Sequence, residues 1–381
     1  ISRTRHFMMI TTAWEEKHLS SITGEKIKLS VFGESHGSAI GCVVDGLPAG
    51  IKLDMQEIER EMARRAPGRD KTSTARKEAD LPRILSGVLN GNTTGAPLAM
   101  IIENTNTRSG DYENVHLVPR PGHSDYPAFV KYGGFNDIRG GGHFSGRLTA
   151  PIVFAGAIAK QILRERGIHI GSHISQIGNV HDDEMNRVDI SPKTLEALTR
   201  EFFPVLRKEA EQEMRDFIEK ARLSGDSAGG VIECAVTGLP VGLGSNIFST
   251  VESKLSAALF AIPAVKGVQF GAGFGFAEML GSEANDPYEI KNGRVAFKSN
   301  NNGGVLGGMS SGAPLVFSVV VKPTPSISKE QDSVDLSTMQ NEKLVIKGRH
   351  DPCIVPRAVP VAEATAALAV LDLIMQDGIK G

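Results

Sequence analysis

Cysteine is nearly missing from this chain. Cys42, Cys234 and Cys353 are the three present in 381 residues, too few and too scattered for a disulfide framework or a Cys-x-x-Cys metal site. No metal site is therefore expected. Charge of one sign is missing too: 42 basic residues stand against 44 acidic ones, so a nucleic-acid role has no global electrostatic support. No apolar run approaches the length needed to span a membrane, and the N-terminus lacks the apolar core of a signal peptide. A reducing cytoplasm is the simplest home, with neither nucleic acid nor membrane as partner. The chain begins with Ile1 and carries Met8-Met9. Residues 1–23 are accordingly expected to be a flexible extension ahead of a single domain over 24–381.

Glycine, by contrast, is plentiful at 42 residues, which implies many tight turns and close backbone approaches. Much of it sits in a repeated pattern. Gly33-Glu34-Ser35-His36-Gly37 through Cys42, Gly46-Leu47-Pro48 and Gly50 recurs in register as Gly225-Asp226-Ser227-Ala228-Gly229 through Cys234, Gly238-Leu239-Pro240 and Gly242. Gly87-Val88-Leu89 to Gly95-Ala96-Pro97-Leu98 is echoed by Gly304-Val305-Leu306 to Gly312-Ala313-Pro314-Leu315. Two matched blocks in the same order predict two halves, about 24–170 and 225–375, related by a pseudo-two-fold axis, with ligands where they meet. Residues shared by both copies build turns and strands. His36 has no counterpart, because Ala228 stands in its place, and that singles it out for chemistry.

Patterning places helices over Asp54–Ala66, with Asp54 as cap and Glu57 three residues on, over Pro151–Arg166, over Ser191 to about Leu223, over Thr250–Ile262 and over Pro360–Met375. It predicts a hairpin over Pro82–Glu103 around Asn90-Gly91 and an apolar strand over Leu315–Val321. Asn104–Gly146 and Asn292–Gly312 have little periodicity and read as long loops, which in a compact chain are functional or disordered.

Several residues could carry chemistry. His123 lies in Pro119-Arg120-Pro121-Gly122-His123-Ser124-Asp125-Tyr126, close to a guanidinium and a carboxylate that can set its charge, as suits a general acid; a plain loop histidine bonded to Asp125 is the other reading. Gly140-Gly141-Gly142-His143-Phe144-Ser145-Gly146-Arg147 leads toward a helix start, where backbone N–H groups suit phosphate. Arg349-His350-Asp351-Pro352 puts a guanidinium and a carboxylate on one side of an extended segment, though a salt-bridged turn explains the pair equally well. Basic residues crowd Arg60 to Arg83, and a solvated face accounts for most of them individually. Neither the triple-glycine loop nor Gly271-Ala272-Gly273-Phe274-Gly275 completes a Walker or dinucleotide fingerprint.

Taken together, these motifs resemble the chorismate synthase family. Gly33–Pro48, Gly140–Arg147 and Arg349–Ala364 are similar to its three signatures, and Arg120–Tyr126 and Lys322-Pro323-Thr324 also fit; the likeness runs from about Gly24 to Ile374. The resemblance implies an α+β, β-α-β sandwich with internal duplication, a homotetramer, and the last shikimate-pathway step: loss of phosphate and a ring proton from 5-enolpyruvylshikimate 3-phosphate by anti-1,4-elimination. It implies reduced FMN, which lends an electron and recovers it without net redox change, and leaves open whether NADPH serves an additional flavin reductase activity. Carried over by position, His36 with Ser35 serves the departing phosphate, His123 the reduced flavin, and Asp351 the substrate's proton. Arg65, Lys71, Arg120, Arg147 and Arg349 fall on substrate-anion positions. His143, Phe144, Ser145, Pro263, Ala264, Gly307, Lys322, Pro323, Thr324, Pro325, Ser326 and Arg349 fall on FMN positions. The chain departs from many members at His143-Phe144 and at Lys71, which keeps an arginine's charge without its fork. A flavin- or phosphometabolite-binding protein without catalysis would use the same glycines and arginines but give His36 and Asp351 no task; a flavin reductase, whose job is electron transfer, is a third reading.

Overall fold

The computed structural model describes residues 21–68, 80–104, 117–346 and 351–378. Its first half runs β1 (Ile22–Thr23), β2 (Lys28–Gly33), β3 (Ala39–Asp45), α1 (Met55–Arg65), β4 (Arg83–Ser86), β5 (Val88–Leu89), β6 (Asn92–Thr93), β7 (Leu98–Glu103), α2 (Asp125–Tyr132) and α3 (Thr149–Glu165). The second half opens with β8 (His169–Ile177), β9 (Val180–His181), α4 (Pro192–Leu198), α5 (Lys208–Leu223), β10 (Gly230–Thr237), α6 (Val251–Phe260) and β11 (Val265–Phe270). It continues through α7 (Gly281–Ala284), β12 (Tyr288–Lys291), β13 (Arg294–Phe297), β14 (Val305–Leu306), β15 (Met309–Ser310), β16 (Leu315–Val321), β17 (Gln331–Asp335) and β18 (Gln340–Leu344), and closes with α8 (Val355–Asp377).

Two five-stranded antiparallel sheets carry the duplication. One has the order β1-β2-β3-β7-β4; the other, read from its own β9 edge, has the order β9-β8-β10-β16-β11. Position for position the repeated blocks fall on matching strands, β3 with β10 and β7 with β16. Alternation explains which face is buried: Ile40, Cys42 and Val44 of β3 point inward, as do Leu98, Met100 and Ile102 of β7. The α1, α3, α6 and α8 helices fill the space between the sheets, giving the expected sandwich. The shared glycines do the same work twice. Gly46 and Gly238 have φ of 90° and 82°, and a Cβ on either would sit about 2 Å from a backbone oxygen, of Lys26 or Gly167. The turns are also closed alike: Thr93 Oγ1 accepts from Ile51 N at 2.9 Å, and Ser310 Oγ from Leu243 N at 2.9 Å.

Five expectations need correction. Pro82–Glu103 is an outer pair, β4 with β7, enclosing the small β5–β6 hairpin at Asn90-Gly91, where both residues have positive φ, as a two-residue hairpin turn requires. The stretch from Ser191 to Leu223 is two helices, because the segment around Pro204 leaves helical geometry, buries Phe203 and lends its carbonyl to Ile174 N at 2.8 Å. The last helix begins at Val355 and keeps Pro360 inside; burial of Val355 and Val359 outweighs the one backbone bond a proline removes. That helix, at 23 residues, is also long and apolar enough to cross a membrane by composition, yet 78% of its most apolar window is packed inside the protein. The two irregular stretches contain ordered structure, α2 and a glycine-rich turn in one and the short β13–β15 strands in the other.

Candidate active site

Both α3 and α8 start at the same end of the sandwich, and the turns that precede them form the site. His36 follows β2 on a turn closed by Gly37 N to Glu34 O at 3.1 Å and tied to the triple-glycine loop by Ser35 N to Gly142 O at 3.1 Å. Both Ser35 and His36 are buried. Gly140 has φ of 61°, and a Cβ there would lie 2.7 Å from His36 Nε2 and 2.8 Å from Ser35 Oγ. Only glycine lets the loop pass so near the imidazole. The next residue borders the second histidine: a Cβ on Gly141 would lie in ordinary contact, 3.5 Å from His123 Nε2, and it is the φ of 86° that favours glycine there. His36 and His123 therefore flank successive residues of one loop.

His123 is oriented from behind. Its Nδ1 lies 2.6 Å from Asp125 Oδ1, and Asp125 is gripped at both oxygens by Arg120, at 2.7 and 2.8 Å. Burial opposes ionisation of Asp125, but hydrogen bonds from Arg120 and His123 outweigh it and hold the carboxyl far below the usual carboxylate range. An ionised carboxylate only accepts, so the proton sits on His123 Nδ1 and Nε2 is the atom left facing Gly141. Arg120, expected to bind substrate, is here engaged with Asp125 and with Ser326 Oγ at 3.3 Å.

The arginines form a second group. Arg65 and Arg147 share one buried carboxylate, Asp80, at 2.7 and 2.5 Å. Arg65 also reaches Thr149 Oγ1 at 3.1 Å and Gly146 O at 2.9 Å. Burial, with Arg147 and Arg357 nearby, pushes the Arg65 guanidinium down to about 10 despite Asp80. Three positive side chains against two carboxylates, Asp80 and Asp351, make a place that an anion would relieve. Asp351 is paired with Arg357 at 2.5 Å, and Arg357 Nε holds the Arg65 carbonyl at 2.9 Å, so the α8 turn is locked to α1.

The expected flavin residues divide. His143 bonds Gly33 O through Nδ1 and Ser21 Oγ through Nε2, each at 2.9 Å. Phe144 is partly exposed with its ring centroid 6.1 Å from that of Tyr132, and Ser145 caps the turn into α3 by accepting from Arg147 N at 3.3 Å. Lys322–Ser326 runs past the same end: Lys322 N donates to Ala264 O at 2.9 Å, Ser227 Oγ to Thr324 O at 2.7 Å, and Lys322 Nζ to Gly122 O. Pro263 directly precedes Ala264, whose φ is 73°. Gly307 stands apart. It sits in the β14–β15 turn, at the far end of β16 from Lys322, next to the C-terminal end of α8, where Gly244 N bonds Asp377 at 2.7 Å. Lys71 and Arg349 lie outside the described residues.

Asp80, Asn104 and Arg357 were not singled out from sequence. The basic stretch demanded a counter-charge, but Asp70, Glu78 and Asp80 were equal candidates along the chain. Asn104 gave no signal beyond opening an irregular stretch after a strand.

The chorismate synthase family profile matches residues 27–375. Chorismate synthase of Thermococcus kodakarensis is 47% identical over 353 residues, 93% of this chain and 97% of that protein. That of Dehalococcoides mccartyi is 45% identical over 367 residues, 95% of this chain and 98% of that protein. Among solved structures, a chorismate synthase crystal structure shares 29% identity with a TM-score of 0.73, covering 93% of each chain. With the duplicated sandwich and its signatures gathered at one end, these likenesses show that the chain belongs to the chorismate synthase family, the enzymes of the final shikimate-pathway step.

Proposed function

We propose that this enzyme eliminates phosphate and a ring proton from 5-enolpyruvylshikimate 3-phosphate in the anti-1,4 sense, giving chorismate. The observation that carries this reading is the pair of histidines set against Gly140 and Gly141 beside the Arg65–Asp80–Arg147 cluster. The substrate bears two carboxylates and a phosphate, about four negative charges. Guanidinium forks fit such oxygens, and Arg65 and Arg147 are held by a carboxylate that an incoming anion can replace. His36, buried beside Ser35, donates the proton that the departing phosphate needs. Asp351, steadied by Arg357, lies at the start of α8 and assists removal of the ring proton.

The residues present fit a flavin. The Lys322–Ser326 strip offers backbone groups, the Lys322 ammonium and the Thr324 hydroxyl, which is buried with no hydrogen-bond partner among the described residues. Burial and the neighbouring Lys266 push the Lys322 ammonium down, a strain that a flavin phosphate relieves. When bound, reduced FMN supplies electron density to the breaking bond and regains it, so the sum of the reaction is redox-neutral. His123, its ring fixed by Asp125, keeps Nε2 on its open side for proton exchange with the bound group.

An anaerobic assay tests the reading: purified protein, chemically reduced FMN and substrate, followed by chorismate absorbance, then repeated with oxidised FMN and NADPH. Turnover in the first arm supports the lyase. Flavin reduction without chorismate would make the protein a reductase, and binding without turnover a carrier. Turnover in the second arm adds the NADPH-dependent activity. Assembly as a homotetramer belongs to the same proposal; exposed Tyr288, Ile290 and Val295 on the β12–β13 hairpin and Phe32 on the outer face of β2 favour it, and light scattering on the eluted protein checks it.

A further inference from the structure

One side chain joins the arginine cluster to the histidine turn. Asn104 directly follows β7, and its backbone N donates to Ser38 O at 3.0 Å. Its amide nitrogen donates to Glu34 O at 3.0 Å and Gly37 O at 2.9 Å, the two carbonyls that bracket Ser35 and His36. Its Oδ1 accepts from Arg147 Nε at 2.8 Å. These contacts fix which way the amide faces, because only –NH2 can donate to two carbonyls. Arg147 in turn shares Asp80 with Arg65. A guanidinium is planar and rigid, so an anion that draws Arg147 away from Asp80 turns Nε as well, and the amide and the turn respond.

We propose that Asn104 is a positioning residue that couples anion capture at Arg147 to the placement of His36. The proposal rests on the reaction assigned above, and it makes substrate binding and presentation of the proton donor one event. Asn104 itself touches no reacting atom; it acts through the Glu34–Gly37 turn.

The test uses Asn104→Asp, which keeps size and the acceptor for Arg147 but removes both donors and sets a carboxylate oxygen against two carbonyls. Misplacing a reacting group by about 1 Å can cost on the order of 100-fold in rate. At saturating substrate Asn104→Asp should therefore lose about 100-fold in kcat, and KM should rise as well, because its carboxylate joins Asp80 against Arg147. In a His36→Ala background the same change should cost less than about threefold, since residues acting through one another are not additive. A full multiplicative loss in that background overturns the coupling. A readout free of turnover runs alongside: inorganic phosphate is titrated into protein with labelled imidazoles, the His36 signal being assigned by its disappearance in His36→Ala. At saturating phosphate that signal should be displaced in wild type and stay nearly still in Asn104→Asp; equal displacement in both overturns the proposal. If Asn104→Asp does not fold, Asn104→Ser, with one donor, takes its place in both measurements and should give the same pattern. Absence of chorismate formation by wild type would defeat the assigned reaction, while the phosphate titration would still decide the coupling.

Discussion

His36 and His123 occupy different electrostatic settings, and the difference predicts how each fails. His123 is held by Asp125 and Arg120, so His123→Ala removes a ring from a network that keeps its other members bonded. His36 lies against Gly140, and His36→Ala leaves a turn still closed by Asn104. Both variants should fold and lose about 100- to 10,000-fold in turnover, the range for positioned acids and bases. Chorismate absorbance in the reduced-FMN assay measures it, and near wild-type rates in either variant would remove that histidine from the chemistry. The cysteines predict the opposite, an absence of reactivity. Burial pushes the Cys42 and Cys353 thiols up to about 12 and raises Cys234 as well. At pH 8 a thiol near 12 is thiolate in roughly one molecule in 10,000, so a thiol reagent should label none of the three before denaturation and all three after it; fast labelling of the native protein would contradict their burial. At this scale the sequence was informative wherever the two halves differ, as at His36 against Ala228. It was silent on Asp80 and Asn104, whose partners are set by tertiary placement rather than by spacing.

Helices and strands were legible to the extent that their signals are local. Asp54 caps α1 by accepting from Glu57 N at 3.1 Å, and Leu315–Val321 is a strand over its whole predicted length, because a cap and an apolar run are both written in consecutive residues. The start of α8 and the break before α5 were not legible, since each depends on what the rest of the molecule buries there. Helix contact is a further case. A Cβ on Gly156 of α3 would lie 2.3 Å from the Ala364 Cβ and 2.4 Å from its Cα on α8. In an isolated helix Gly→Ala gains about 1 kcal/mol. Here the obstacle is backbone and cannot swing away, and over-packing of this kind costs about 1–3 kcal/mol. Gly156→Ala is therefore expected to destabilise by up to about 2 kcal/mol net, seen as a lower urea midpoint at unchanged slope. A raised midpoint would mean that α3 and α8 do not approach so closely.

Across the whole molecule, the two halves are joined by charge as well as by apolar packing. Glu363 of α8 accepts from Arg64 of α1 at 2.7 and 3.0 Å and from Lys160 of α3 at 2.8 Å, while Glu61 of α1 accepts from the same two cations at 2.9 and 3.0 Å. Two carboxylates and two cations, all at most 10% exposed, make a neutral quartet in the helix layer. Arg64 was one of a basic cluster that sequence alone assigned to a solvated face or an anion site; it serves neither, because its partner Glu363 is 299 residues away along the chain. Removing one member of such a group leaves an uncompensated buried charge, at a cost of about 3–5 kcal/mol. Glu61→Gln should show a loss of that order at neutral pH. Burial works against ionising Glu61, yet Lys160 and Arg64 hold it down from 4.5 to about 2. A carboxyl depressed in the folded state binds fewer protons there than in the unfolded chain, so its contribution is complete above pH 4.5 and disappears as pH falls toward 2. The stability curves of wild type and Glu61→Gln, followed by denaturant titration at successive pH values, should lie parallel above pH 5 and converge between 4.5 and 2. A gap that stays constant through that window would mean that Glu61 is not ionised in the folded protein, leaving Glu363 as the carboxylate that ties Arg64 and Lys160 to α8.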